Sequence, residues 1–212
     1  MSTHVTTEGV TQYRLDWHYA ALPPCLQWAD LNAWRTRLFD RGVIGQNPSR
    51  YDGLGFGNVS CRLQSDTFPD AFLISGTQTG HWRELPFEQY CEVLQCNVAG
   101  NTLRARGPVP PSSEALTHHM VYHSLPAARF VLHVHAPALW QQAQRLGLPQ
   151  TPADVGYGTP AMAEAVAALI ASNAGNVVAM AGHEDGILAW GESIESLGQD
   201  VLSWLCRAEN SV

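Results

Sequence analysis

The sequence predicts an α/β protein built around a layered sheet, and two observations carry that prediction. Segments with a helical apolar period alternate with short strand-like runs, and no Ser/Gly-rich or charge-rich linker divides the 212 residues. With 45% hydrophobic residues the chain can bury one complete core.

Residues 1–25 are read as an N-terminal arm and residues 26–212 as the domain. Leu26 to Asp40 places Trp28, Leu31, Trp34, Leu38 and Phe39 at helical spacing, and Gly42 follows as a C-cap. A glycine-rich turn, Asp52-Gly53-Leu54-Gly55-Phe56-Gly57-Asn58, leads into two strand-like runs, Val59 to Leu63 and Ala71 to Ser75. Glu92 to Asn97 and Thr102 to Arg106 flank Val98-Ala99-Gly100-Asn101, the pattern of a hairpin. After Pro110-Pro111, Ser112 or Ser113 can cap a helix that runs to about Leu125 and stops before Pro126. Phe130 to His135 reads as a strand, Pro137 to Leu146 as a helix closed by Gly147, and Ala161 to Ala171 as a further helix. Asn176 to Ala181 and Gly186 to Trp190 read as buried strands, and Ile194 to Arg207 as the terminal helix.

Composition excludes several functions. The formal net charge is −7 and all 12 basic residues are arginine. Without a lysine amine, no carbonyl chemistry here can run through a lysine imine. The acidic balance without a basic run argues against a nucleic-acid partner. No apolar run approaches the roughly 20 residues that span a bilayer, and Met1 to Gly9 lacks the apolar core of a signal peptide. The expectation is a cytoplasmic protein without a membrane partner. The five cysteines are odd in number and form no C-x-x-C pair, so they are read as small buried hydrophobes.

The triplet His133-Val134-His135 ends the apolar run Phe130-Val131-Leu132. Successive strand residues point to opposite faces, so these two imidazoles project side by side from one face. Such a pair is either a hydrogen-bonded structural pair or a metal grip. A third histidine, His183, lies in the turn Gly182-His183-Glu184-Asp185-Gly186, from which it can reach over a sheet edge. Three neutral imidazoles leave zinc one open position, the arrangement of catalytic sites. Glu114 falls in the first turn after Pro111-Ser112-Ser113, where the positive helix end lowers the penalty of an ionised carboxylate and favours a bound anion. His119 and His123, four residues apart on one helical face, form a secondary candidate metal pair. No Glu follows His119, so this is not an H-E-x-x-H motif.

Together, Pro111-Ser112-Ser113-Glu114, His118, Tyr122, Pro126 and His133-Val134-His135 resemble the class II aldolase/adducin family, the group of fuculose-phosphate aldolase and ribulose-phosphate 4-epimerase. Gly57-Asn58-Val59-Ser60 and the stretch from Gly182-His183 to Gly191-Glu192-Ser193 agree with two flanking blocks, so the resemblance covers roughly residues 26–207. It implies a single three-layer αβα domain with a central mixed, mainly antiparallel sheet. It also implies His133, His135 and His183 as ligands of Zn2+, with Mn2+, Co2+ or Fe2+ as alternatives. By the same resemblance Glu114 is the catalytic acid/base. Gly57, Asn58, Ser75, Gly76, Ser112 and Ser113 bind the substrate's phosphate or hydroxyl groups, and Tyr157 is the late catalytic tyrosine.

The implied reaction is aldol cleavage of a small sugar-derived hydroxy-carbonyl compound, phosphorylated or free, through a metal-stabilised enediolate that needs no lysine. The implied assembly is a homotetramer with sites at subunit boundaries. This chain departs from the family's short T-P-S-G loop: in Ile74-Ser75-Gly76-Thr77-Gln78-Thr79-Gly80 either Ser75-Gly76 or Thr79-Gly80 matches. It also carries Glu184-Asp185 after His183, charges that oppose a nearby dianion unless they point away. Dehydration, epimerisation and a non-catalytic adducin-like assembly role are the alternatives on this scaffold. A cupin reading fails because Ala138 and Leu139 stand where cupins place a Glu.

Overall fold

The computed structural model describes residues 10–210. Met1 to Gly9, the polar start of the expected arm, and the last two residues lie outside that range. The elements in order are β1 (Arg14–Tyr19), α1 (Trp28–Asp40), β2 (Gly45–Gln46), β3 (Gly55–Phe56), β4 (Asn58–Arg62), β5 (Phe72–Ser75), β6 (Tyr90–Asn97), β7 (Thr102–Gly107), α2 (Ala115–Ser124), β8 (Phe130–His135), α3 (Pro137–Gln141), α4 (Pro160–Ala171), β9 (Val177–Ala179), β10 (Gly186–Gly191) and α5 (Ile194–Glu209).

Eight strands form one sheet in the order β1-β7-β6-β5-β4-β8-β10-β9, and β2 and β3 form a separate two-stranded ribbon. All neighbours in the large sheet are antiparallel except β1 and β7. The expected mixed, mainly antiparallel sheet is therefore present. Helices cover both faces, so the three-layer expectation also holds. Leu31, Trp34 and Leu38 of α1, Leu139 of α3 and Leu197, Val201 and Leu205 of α5 pack on Val59, Cys61, Leu132, Val134 and Ile187. Leu116 and Val121 of α2 and Met162 and Val166 of α4 pack on Ile74, Val131 and Leu188. The alternation along β8 assigns its faces: Leu132 and Val134 look toward α1 and α5, so Val131, His133 and His135 look toward α2 and α4.

The differences from the sequence reading lie mostly at edges. Within the expected arm, Arg14–Tyr19 pairs in parallel with β7 as an edge strand. The helix expected to Leu146 ends at Gln141, and turns continue to Gly147. The strand expected over 176–181 spans only Val177–Ala179. Helix α2 starts at Ala115 with Glu114 in the cap position, so neither serine takes the N-cap.

Polar groups on β4 lock α2 in place. Ser60 Oγ lies 2.7 Å from both His118 Nδ1 and Tyr122 OH. Burial alone drives the His118 pKa down to about 3, so this ring is neutral. Two residues of the motif Pro111 to His135 are thus framework residues. Arg62 Nε donates to the Ala128 carbonyl at 2.9 Å, and Nη2 donates to the carbonyls of Tyr122 and Leu125. A fixed guanidinium thereby satisfies the C-terminal end of α2.

Gly57 joins β3 to β4 with φ +74°, and a Cβ there would sit 2.8 Å from Ile44 Cγ1 and 3.1 Å from the His133 carbonyl oxygen. Left-handed backbone costs an L residue about 1–2 kcal/mol before any overlap is added. Gly57→Ala is expected to lower the thermal midpoint by roughly 4–8 °C, at about 2–4 °C per kcal/mol for a chain of this size. Differential scanning calorimetry checks this, and an unchanged midpoint would contradict the packing described.

Candidate metal centre and substrate pocket

Strand β8 sits between β4 and β10, and register decides what surrounds its histidines. Opposite His133 are Asn58 on β4 and Leu188 on β10, and opposite His135 is Gly186. The missing side chain of Gly186 leaves room for His183, since a Cβ there would lie 3.1 Å from His183 Cγ and Nδ1. His183 is held in the β9–β10 turn by its own N–H to the Met180 carbonyl and by the Gly186 N–H to its carbonyl, both at 2.9 Å. Its ring stacks on His133 at 4.9 Å and meets His135 edge-on at 4.8 Å.

All three imidazoles are buried, and one donor atom from each lies within 4.8 Å of the others. His133 Nε2 and His135 Nε2 are 3.1 Å apart. Two nitrogens at 2.0–2.1 Å from one tetrahedral ion are separated by about 3.3 Å, so the pair is spaced as zinc ligands are. His133 Nδ1 lies 3.2 Å from the Ile187 carbonyl; donating there leaves Nε2 with its lone pair in the cluster. Burial, then repulsion from neighbouring imidazoles, holds His133 and His135 well below the ordinary histidine pKa, in the neutral form that binds metal. Donor set, spacing and protonation state all fit a divalent cation.

Glu114 completes the cluster. It is 1% exposed, Thr117 Oγ1 donates to its Oε2 at 2.7 Å, and its Oε1 is 3.7 Å from His183 Nδ1. A carboxylate this deep is stable when donors and a cation face it. Tyr157 meets the cluster with its ring face, stacked on His183 at 4.6 Å, while its hydroxyl is directed to the Val10 carbonyl at 3.5 Å.

Beside the histidines, Gly57, Asn58, Gly76, Ser112 and Ser113 line one pocket together with Gly55, Thr77, Gln78, Thr79 and Gly80. Of the two sequence alternatives for the loop, Ser75-Gly76 borders this space through Gly76 alone and Thr79-Gly80 through both residues. Asn58 Oδ1 is buried and meets no donor, which suits a hydroxyl on a bound molecule. Among the described residues, no arginine lines this pocket. Ser75 stands apart from the other expected binding residues: its Oγ accepts the Val59 N–H at 3.2 Å and ties β5 to β4.

Sequence reasoning missed a group on the other side of His135. Tyr51 meets that ring edge-on at 4.8 Å, donates its hydroxyl to Asp185 Oδ2 at 2.5 Å and accepts from Arg50 Nη2 at 2.6 Å. Phe56 tilts against His135 at 5.5 Å, and the Arg50 guanidinium lies 4.5 Å from the Phe56 ring. Of the two acids after His183, Glu184 is exposed and Asp185 faces Arg50 at 3.8 Å. Neither presents an unanswered charge to the cluster. The only local signal for this group was the run Arg50-Tyr51-Asp52-Gly53, in which Tyr51 and Asp52 adopt positive φ, conformations that tertiary contacts must hold.

The sequence profile of the Class II Aldolase and Adducin N-terminal domain matches residues 48–201. Among curated proteins, no sequence matches the chain. Solved structures share the fold at low identity. L-fuculose-1-phosphate aldolase from Thermus thermophilus is 21% identical with TM-score 0.58, covering 87% of this chain and 89% of its own. Sugar-phosphate aldolase from Thermotoga maritima is 14% identical with TM-score 0.63, covering 85% and 90%. The N-terminal class II aldolase domain of a conserved protein from Thermoplasma acidophilum is 16% identical with TM-score 0.58, covering 90% and 96%. With the profile spanning most of the sequence and the sheet topology to match, the chain belongs to the class II aldolase and adducin family.

Proposed function

We propose that this metal-dependent, aldolase-type enzyme cleaves a small sugar-derived hydroxy-carbonyl compound by a retro-aldol reaction. The observation that carries this reading is the convergence of three buried imidazoles and a buried carboxylate on one face of β8, beside a polar pocket. His133, His135 and His183 would hold the cation, with Zn2+ the best fit to three imidazole nitrogens and Mn2+, Co2+ or Fe2+ the alternatives. Bound there, a divalent cation supplies Lewis acidity to a carbonyl and its neighbouring hydroxyl and so stabilises the charge that develops as a carbon–carbon bond breaks.

The remaining roles belong to the chain's own side chains. Glu114 moves the proton at the carbon alpha to the carbonyl: Thr117 fixes Oε2, and Oε1 is the oxygen turned to His183. Gly57, Asn58, Gly76, Ser112 and Ser113 orient the substrate's hydroxyls or its phosphate, through hydroxyl, amide and main-chain groups instead of an arginine. The rings of Tyr51, Phe56 and Tyr157 wall the histidines from water. The absence of lysine agrees with this route, because no imine is needed. Assembly as a homotetramer and a cytoplasmic setting belong to the same proposal, and sedimentation of the purified chain tests the first. No helix of the described residues is long and apolar enough to cross a membrane.

Two outcomes test the reading. His133→Ala is expected to lose about one equivalent of bound transition metal relative to wild type, measured by elemental analysis after dialysis without chelator. Unchanged content would remove the histidine cluster as the metal centre. Glu114→Gln is expected to keep the metal yet slow proton exchange at the substrate's alpha carbon by about 10²–10⁴-fold, the usual contribution of a positioned acid/base. Exchange into deuterated solvent, followed by NMR, measures it, and exchange at the wild-type rate would take Glu114 out of that role. A screen of phosphorylated and free aldehyde-releasing compounds supplies the substrate for this measurement.

A further inference from the structure

At the opposite end of α2 lies a second group of metal-binding side chains that the aldol chemistry does not use. His119 and His123 are one helical turn apart, with rings stacked at 5.7 Å. Asp70, just before β5, lies beside them, its Oδ2 2.9 Å from His123 Nδ1. One donor atom from each of the three falls within 4.8 Å of the other two. They border a surface pocket with Thr67, Gln95 and Cys96. We propose that Asp70, His119 and His123 form a second site for a divalent transition-metal ion, separate from the catalytic cluster.

Several independent features favour this. Two imidazoles and one carboxylate make a donor set that suits zinc, cobalt and other late first-row ions. The carboxylate is oriented before any ion arrives: Arg62 Nη1 reaches Asp70 Oδ1 at 3.4 Å, leaving Oδ2 on the side of the histidines. Arg62 is itself fixed by the carbonyls of Pro69, Ala128 and Leu125, so it does not swing into the site. His119 is 8% exposed, so packing already restricts its ring on the side of Asp70 and His123. His123 occupies the last turn of α2, where the negative end of the helix dipole favours a cation. Coordination requires donor atoms now up to 4.8 Å apart to close to roughly 3.3 Å, and the 2.9 Å contact of His123 Nδ1 with Asp70 Oδ2 to give up its proton to solvent and widen slightly. The His123 side chain, 64% exposed, is free to make that movement. Three protein ligands would leave an open coordination position toward the pocket.

The test is equilibrium dialysis of the full chain against Zn2+, with bound metal counted by elemental analysis. Wild type is expected to bind two equivalents. His133→Ala and His123→Ala are each expected to bind one, with the second site weakened by more than about 100-fold in His123→Ala, beyond what loss of an outer-shell partner costs. His123 is exposed, so its removal spares the core, and circular dichroism confirms the fold. Cobalt substitution adds a spectroscopic readout: the absorption band from the second equivalent disappears in His123→Ala and persists in His133→Ala. Bound metal in His119→Ala/His123→Ala equal to that of wild type, whatever the wild-type total, would overturn the proposal. The outcomes separate the two sites, because failure of the catalytic metal reading would show in His133→Ala alone.

Discussion

The architecture depends on holding three buried imidazoles in register at the middle of the sheet, the two on β8 desolvated and neutral. A strand buried on both faces ordinarily carries only apolar side chains, yet β8 places His133 and His135 where every residue is buried. Burial itself removes their charge, and neutrality leaves ring nitrogens with lone pairs that face one another. The neighbouring strands are shaped around that fact. β4 sets an amide, Asn58, opposite His133, while β10 sets a glycine opposite His135 and thereby admits the third ring. Aromatic rings surround the cluster at 4.6–5.5 Å, keeping it dry and fixing ring orientation without adding charge. The one acid drawn in beside them on the far side, Asp185, arrives with Arg50 and the Tyr51 hydroxyl to answer it.

How much of this the sequence shows depends on the range of the interactions involved. The H-x-H pair is legible because strand geometry puts alternate residues on one face whatever the tertiary context. The helices α1, α4 and α5 are legible because each repeats its apolar period over three or more turns. Strand β1 is not: Leu15 and Trp17 alternate with charged or polar residues, but its partner β7 lies almost ninety residues later and pairs with it in parallel. The family resemblance gave roles to Glu114 and His183, whose local patterns alone are those of an ordinary helix start and a polar turn. Tyr51 was beyond reach, because its meaning comes from Asp185, 134 positions away. Ser75, expected as a binding serine, also ties two strands together by accepting the Val59 N–H, a contact set by the neighbouring strand.

Helix α2 connects these observations, because its two ends do opposite electrostatic work. Its first turn presents main-chain N–H groups beside Ser112, Ser113 and Glu114, the end that stabilises negative charge and borders the pocket. Its last turn exposes carbonyl groups, and Arg62, with His119 and His123 nearby, collects positive charge or cation ligands there. Ser60 grips the middle through His118 and Tyr122, so the helix cannot slide along the sheet. The placement of one ten-residue helix therefore sets both Glu114, the cap residue that faces the histidine cluster, and the imidazoles of the second group. Any movement of α2 toward or away from β8 would change the distance from Glu114 to His183, and the Asp70–Arg62 brace at the far end opposes that movement. An ion held by Asp70, His119 and His123 would add a further tie between the helix and the β5 side of the sheet, stiffening the support of Glu114 without touching it.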